Sequence, residues 1–156
     1  MEQNPKNSHP ALLTIICPMK NEEKNLAAFF ARLVPVLESV ADAYEILCIN
    51  DGSQDNTLAY LLKEKEINPN IKIADLSRNF GKEAALTCGI ELAKGDVVIP
   101  IDADLQHPPE TIIEMKKKKK KGYEVVLADG FTSYKIKFLK SISLLMLGIS
   151  DSWIAR

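Results

Sequence analysis

The sequence predicts an α/β domain: a mostly parallel sheet with helices on both faces. Three observations carry this. Short, continuous apolar runs rich in β-branched residues recur along the chain, each the length of a strand buried on both faces. Segments with apolar residues at helical spacing lie between them, so successive strands are joined by crossovers, which are right-handed in such folds. Each run ends in a polar cluster, and ligands of parallel sheets bind outside the carboxyl ends of the strands.

Residues 1–11 read as a loose tail, and Leu12-Leu-Thr-Ile-Ile-Cys17, bounded by Pro18, as the first strand. From Glu23 to about Val40, Leu26, Phe29, Phe30, Leu33 and Leu37 fall at helical spacing, and Pro35 is expected to kink or interrupt that helix. Tyr44-Glu-Ile-Leu-Cys-Ile49 is the second strand. A helix over 56–65 is expected to bury Leu58, Leu61 and Leu62. The third strand is Ile71-Lys-Ile-Ala-Asp-Leu76, and a helix over 82–94 carries Ala85, Leu86, Gly89, Ile90 and Ala93 on one side. Val97, Val98, Ile99 and Ile101 form a fourth strand that reads as buried on both faces. Pro108-Pro109-Glu110 suits the first turn of a fourth helix, over 108–121, with Ile112, Ile113 and Met115. Gly122 is its stop, and Tyr123-Glu-Val-Val-Leu-Ala128 is a fifth strand.

The fourth strand ends in Asp102-Ala-Asp104. Side chains at i and i+2 of an extended segment point the same way, so both carboxylates could face one hard cation at a strand tip. A magnesium or manganese ion with so few protein ligands keeps positions for phosphate oxygens. The plainer reading is that Asp104 begins a turn and Asp102 is solvated. The other tips add Asn21 and Glu22, Asp51 and Ser53, Ser77, Arg78, Asn79 and Lys82, and Gln106. Acids, amides, hydroxyls and cations together suit a metal-bound, phosphorylated, sugar-bearing ligand, since a divalent ion turns carboxylates into a phosphate site. Alternatively, Asp51 is a solvated helix cap, Glu22 complements a helix N-terminus, and Arg78 and Lys82 are surface charges.

A chain of 156 residues with 46% hydrophobic residues, 26% charged residues and a net charge of −1 is one globular domain, with no charge signal for nucleic acid. The first ten residues contain no apolar signal region, and no stretch nears the ~20 apolar residues of a membrane span. Cys17, Cys48 and Cys88 sit inside apolar segments without metal-ligand spacing and read as buried, reduced thiols of a cytosolic protein. Neither Gly-x-x-x-x-Gly-Lys-Ser/Thr nor Gly-x-Gly-x-x-Gly occurs, which disfavours a P-loop NTPase and a dinucleotide-binding dehydrogenase. His9 and His107 are lone histidines that support no nucleophile triad.

Four motifs in order carry a resemblance: Pro18-Met-Lys-Asn21-Glu22-Glu23; Asn50-Asp51-Gly52-Ser53-x-Asp55-x-Thr57; Leu76-Ser77-Arg78-Asn79-Phe80-Gly81-Lys82-Glu83-Ala84-Ala85-Leu86; and Asp102-Ala-Asp104-Leu-Gln106-x-Pro108-Pro109-Glu110. Over residues 12–128 the chain resembles the N-terminal half of a family 2 glycosyltransferase, most closely the branch that makes polyprenyl-phosphate sugars (dolichyl-phosphate mannosyltransferase and bactoprenol glucosyltransferase). The resemblance implies a nucleotide-diphospho-sugar transferase (Rossmann-like) fold. It also implies metal-dependent, inverting transfer of a hexose from a UDP- or GDP-sugar to dolichyl or undecaprenyl phosphate at the cytoplasmic membrane face. Carried over by position, Pro18, Asn21, Glu22 and Asp51 line the nucleoside pocket, while Asp102, Asp104 and Gln106 sit at the Mg2+ or Mn2+ ion and the diphosphate, with Asp102 and Asp104 as the catalytic pair. Ser53, Arg78 and Lys82 complete the expected substrate-binding set.

The sequence departs from the family at Lys20, where an uncharged residue is usual, at Asn50, where an acid is common, and at His107, where Asp is frequent. The family continues past residue 128 with arginines for the acceptor phosphate. Here the only arginine after Arg78 is Arg156, so the chain reads as a truncated form. The rival expectation is a non-catalytic fragment that binds nucleotide or a partner without turnover. A sugar-phosphate nucleotidyltransferase would need a glycine-rich loop after the first strand, which is lacking. The segment 129–156 is basic and apolar. With Lys116 to Lys121, its Lys135, Lys137 and Lys140 suggest attachment to an anionic membrane surface, the alternative being a solvated helix end and a packing helix. A homo-oligomer is compatible with the sequence.

Overall fold

The structure, a computed structural model, describes residues 11–106 and 108–113. The expected helix beyond residue 113, its stop at Gly122, the fifth strand, the basic segment 129–156, the N-terminal tail up to residue 10 and both histidines lie outside the described residues.

Among the described residues four strands alternate with three helices: β1 (Leu12–Met19), α1 (Glu23–Val40), β2 (Ala43–Asn50), α2 (Thr57–Ile67), β3 (Ile71–Asp75), α3 (Lys82–Leu92) and β4 (Val97–Pro100). All pairs are parallel, and the strands lie in the order β3-β2-β1-β4. The chain thus steps outward from β1 to β2 to β3, then returns across the sheet to place β4 on the other side of β1. That reversal makes the carboxyl ends of β1 and β4 the topological switch point, where such sheets bind ligands.

Two cores sandwich the sheet. On one face Ile15, Cys17 and Met19 of β1, Ile46 and Cys48 of β2, and Ile99 pack against Leu26, Phe29, Phe30, Leu33 and Leu37 of α1 and Leu61 of α2. On the other, Ile16, Leu47 and Ile49 meet Ala85, Ile90 and Ala93 on the α3 side. Alternate residues of β1 serve opposite cores, as the period of a strand requires. Gly89 lets α3 approach closely, since a Cβ there would stand 2.3 Å from Ile16 Cγ2.

At the amino end of the sheet a buried polar cluster fixes the route from α3 into β4. The Thr14 hydroxyl donates to Glu45 Oε1 (2.6 Å), which also accepts the Lys94 N–H, and Thr14 Oγ1 accepts the Gly95 N–H. Both Thr14 and Glu45 are buried, so each bond satisfies a group that water does not reach.

Three expectations are corrected. Of the kink or interruption expected at Pro35, the interruption does not occur: α1 runs through it to Val40. Pro35 and Ala31, the residue whose carbonyl loses its helical partner, are both exposed, so water can satisfy that oxygen. On α2 only Leu61 of the three expected leucines is buried; Leu58 is half-buried and Leu62 is 51% exposed, because the helix meets the sheet along a stripe of only Thr57 and Leu61. Val97 and Val98 of β4 are half-buried rather than enclosed, since β4 is an edge of the sheet among the described residues. Cys17 and Cys48 are buried free thiols as expected, while Cys88 is half-buried. Burial pushes both buried thiols up, and at Cys17 the nearby Cys48 and Asp102 act in the same direction.

Candidate functional site

Parallel strands bring every sequence-named site residue to one end of the sheet. Met19, Asn50 and Asp75 stand in register at the ends of β1, β2 and β3. Backbone pairing continues past the ladder: the Asp51 N–H donates to the Met19 carbonyl, Leu76 N–H to Asn50, and Ile101 N–H to Ile16. The four βα loops therefore start from a common rigid rim.

The first two loops are interlocked. Asn21, in the left-handed region at φ 55°, donates its N–H to Ser53 Oγ (2.9 Å) and accepts the Gln54 N–H on Oδ1 (2.8 Å). Glu22 N–H donates to Thr57 Oγ1, and the Glu22 carboxylate accepts from the Asn25 side chain one turn into α1. Glu23 donates its N–H to Asp55, and its carboxylate accepts from the backbone and side-chain nitrogens of Asn56. Each loop thus caps the helix that follows the other. Pro18 lies within β1, half-buried, opposite Ile49.

Asp51 is 3% exposed, which overturns the solvated-cap alternative; the N-cap of α2 is Asn56. The two oxygens of Asp51 accept the N–H groups of Phe80 (2.7 Å) and Gly81 (2.9 Å). A buried carboxylate so placed fixes the loop that carries Arg78 and Lys82, with charge-assisted bonds. Beside it, buried Asn50 donates from Nδ2 to Asp75 at the tip of β3. Arg78 is exposed, its guanidinium 4.7 Å from the centre of the Phe80 ring.

Lys82 opens α3 and crosses to the fourth loop, with Nζ 2.7 Å from Asp102 Oδ2. Asp102 and Asp104 lie beyond β4, which ends at Pro100, so they are not on a regular strand as the spacing argument supposed. The alternation nevertheless persists: Ile101 and Ala103 are buried in the α1-side core, while Asp102 is half-buried and Asp104 exposed. Asp104 also makes the turn that the plainer reading expected, Oδ1 accepting the Gln106 N–H across Leu105 at φ 60°. The Pro-Pro-Glu that follows does start a helical turn, with the Pro108 carbonyl accepting the Thr111 N–H, and Arg32 of α1 pairs with Glu110 at 2.9 Å.

Among the described residues no three His, Cys, Asp or Glu side chains gather to hold a metal. Two carboxylates and an amide, all hard oxygen donors at an exposed tip, fit a Mg2+ or Mn2+ ion that fills its other positions with water and phosphate oxygens. They do not fit a closed, all-protein site. A surface groove among the described residues lies elsewhere, between α1 and α2, lined by Phe30, Val34, Tyr44, Tyr60 and Ile67 and by none of the site residues. No helix among the described residues is long and apolar enough to cross a membrane.

The sequence reading missed the interlock of Glu23, Asp55, Asn56 and Thr57. Its signal was present: Asp, Asn and Thr cluster just before a helical segment, where such side chains cap exposed N–H groups. The Asp55 carboxyl illustrates the consequence. Burial works to raise its pKa, but the Thr57 hydroxyl and the N–H groups of Thr57 and Glu23 bind the ionised form, and the net shift is downward. A depressed carboxyl means that the unfolded chain binds more protons, so its stabilisation is present above the unfolded value of about 3.9 and is lost as pH falls through the lower folded value. Urea unfolding at a series of pH values is expected to show a shallower acid loss in Asp55→Ala than in wild type below about pH 4. Parallel acid limbs would mean that the interlock adds nothing pH-dependent.

An uncharacterised glycosyltransferase of Synechocystis is 55% identical over 116 residues, which cover 74% of this chain and 36% of that protein. The undecaprenyl-phosphate 4-deoxy-4-formamido-L-arabinose transferase of Aeromonas hydrophila is 37% identical over 122 residues, 77% of this chain and 37% of its own length. The fold is shared with a mannosyltransferase of Pyrobaculum calidifontis solved with GDP-Man and Mn2+, at a TM-score of 0.55 and 22% identity over 65% of this chain and 30% of that one. The chain spans only 34% to 44% of the length of the curated relatives it matches. The profile of Glycosyl transferase family 2 matches residues 14–146, a span containing all ten site residues named from the sequence, and the chain belongs to glycosyltransferase family 2.

Proposed function

We propose that this chain is the donor-binding part, within residues 12–128, of an enzyme that moves a hexose from a UDP- or GDP-sugar to a polyprenyl phosphate, with inversion. The observation that carries the reading is the single cross-linked rim formed by Asn21, Asp51, Lys82 and Asp102 along the carboxyl ends of the strands. Relatives named as undecaprenyl-phosphate sugar transferases support the lipid acceptor.

In this reading Pro18, Asn21, Glu22, Asp51 and Ser53 form the nucleoside side of the site, and Arg78 and Lys82 face the diphosphate. Asp102, Asp104 and Gln106 would hold Mg2+ or Mn2+, which when bound offsets charge on the leaving nucleoside diphosphate. An oxygen of the acceptor phosphate attacks the anomeric carbon, the bond from that carbon to the diphosphate oxygen breaks, and the nucleoside diphosphate leaves. The acceptor phosphate is already ionised at neutral pH, so the protein's tasks are positioning and charge stabilisation rather than strong base catalysis. The site would work at the cytoplasmic membrane face, where the lysines of 116–121 and 129–156 could meet anionic lipid.

Calorimetric titration with UDP-glucose and GDP-mannose, with and without Mn2+, tests the donor half. Wild type is expected to bind one of the two in a Mn2+-dependent manner, and Asp104→Ala to weaken that binding by about tenfold or more. Failure to bind either sugar nucleotide would favour a fragment that does not take up donor.

A further inference from the structure

The ion pair between Lys82 and Asp102 puts a cation of the protein's own on a carboxylate assigned above to a metal. Nζ lies 2.7 Å from Oδ2, the lysine side chain is 63% exposed, and that of Asp102 only 20%. We propose that Lys82 is the resident counter-cation of Asp102 and that it makes divalent-metal loading conditional on the nucleoside diphosphate. The inference rests on the donor reading and adds a specific order of charge exchange to it.

The physical argument has three steps. The 2.7 Å contact puts the lysine ammonium on the Asp102 carboxylate that a divalent ion would need, so the ion must displace it. Lys82 is also the first residue of α3, beside the positive end of that helix, where a cation is disfavoured without an acid. Once displaced, the ammonium stands close to both the helix end and the divalent ion, with three positive charges on one rim. An anion that bridges metal and ammonium removes that repulsion, and a diphosphate has the charge and span to do so. The Asp51 clamp on Phe80 and Gly81 holds the backbone in place while the long side chain moves. Metal and diphosphate then raise each other's affinity by the same factor, as linkage requires.

The test uses the full chain as wild type, Lys82→Met and Lys82→Arg, with Asp102→Asn to set the background. Free Mn2+ is counted by electron paramagnetic resonance as Mn2+ is added alone. UDP and GDP are then titrated by calorimetry at several Mn2+ concentrations. Because an exposed ion pair is worth at most about fivefold in an equilibrium constant, Lys82→Met is expected to bind Mn2+ alone about threefold tighter than wild type. The factor by which Mn2+ improves nucleotide affinity should shrink by about the same amount, while Lys82→Arg keeps the wild-type pattern. Mn2+ binding to Lys82→Met that is no tighter than to wild type, alongside intact metal-dependent nucleotide binding, would overturn the inference and leave the donor reading standing. Tighter Mn2+ binding with no nucleotide binding by any variant would support Lys82 as the counter-cation and overturn the donor reading.

Discussion

Gly52→Ala is expected to lower stability by about 3 kcal/mol or more, among the larger costs for a single methyl group. Gly52 sits at φ 61°, and a Cβ built there would stand 2.4 Å from both the Arg78 carbonyl carbon and the Asn79 nitrogen. Those atoms are backbone, so no change of rotamer relieves the clash. The loop after β2 and the loop after β3 must separate, and the Asp51 bonds to Phe80 and Gly81 are the contacts next to the point of separation. The left-handed conformation alone would cost alanine roughly 1 kcal/mol, and each hydrogen bond to a charged group that is lost adds about 1.5–3 kcal/mol. Gly52→Asn separates the two causes. Asparagine tolerates the left-handed region better than alanine, so it would recover much of the loss if conformation dominated. The close approach predicts that it does not. Urea unfolding of both variants decides this, and an Asn variant near wild-type stability would refute the packing argument. Nucleotide binding should fall with stability in both, since Arg78 and Lys82 ride on the displaced loop.

The sequence motif already contained this glycine, but nothing in it said which loop comes so near. That distinction describes what was legible throughout. Strand positions followed from apolar, β-branched runs, and β1, β2 and β3 differ from expectation by one or two residues at their ends. The parallel pairing followed from the helices between them. The order β3-β2-β1-β4 did not, because alternation fixes the need for crossovers and not the side on which each strand lands. That α1 would continue through Pro35 was not legible, because a proline's cost depends partly on whether the orphaned carbonyl meets water, which depends on the exposed face. Leu62 misled because helical spacing marks a possible stripe, while the width of the buried stripe is set by how far α2 stands from the sheet. The site residues were legible as types at strand ends. Their pairings, Asn21 with Gln54, Asp51 with Gly81 and Lys82 with Asp102, join residues 20 to 33 positions apart and arise only when the loops meet.

Asp51 carries the most consequential of these pairings, and the second large effect is expected there. Asp51→Ala removes the acceptor of two backbone N–H groups at 2.7 and 2.9 Å from a side chain that is buried. Bonds to a charged acceptor contribute about 1.5–3 kcal/mol each, but Phe80 and Gly81 are only half-buried, so water can partly replace the carboxylate. The net loss should therefore be about 2–4 kcal/mol. Asp51→Asn keeps one carbonyl oxygen and turns an amide donor toward the second N–H, so it retains one bond, loses the charge and should fall between the alanine variant and wild type. The order wild type, Asn, Ala is the prediction, read by urea unfolding at neutral pH. Both variants should also weaken UDP or GDP binding beyond what stability explains, because freeing Phe80 and Gly81 releases the start of α3 and with it the position of Lys82. If instead Asn matches wild type in both measurements, the charge on Asp51 is dispensable and hydrogen bonding to a neutral oxygen suffices to hold the loop. If alanine does so too, the loop is held without the carboxylate, and Asp51 serves neither its position nor the binding of the nucleoside.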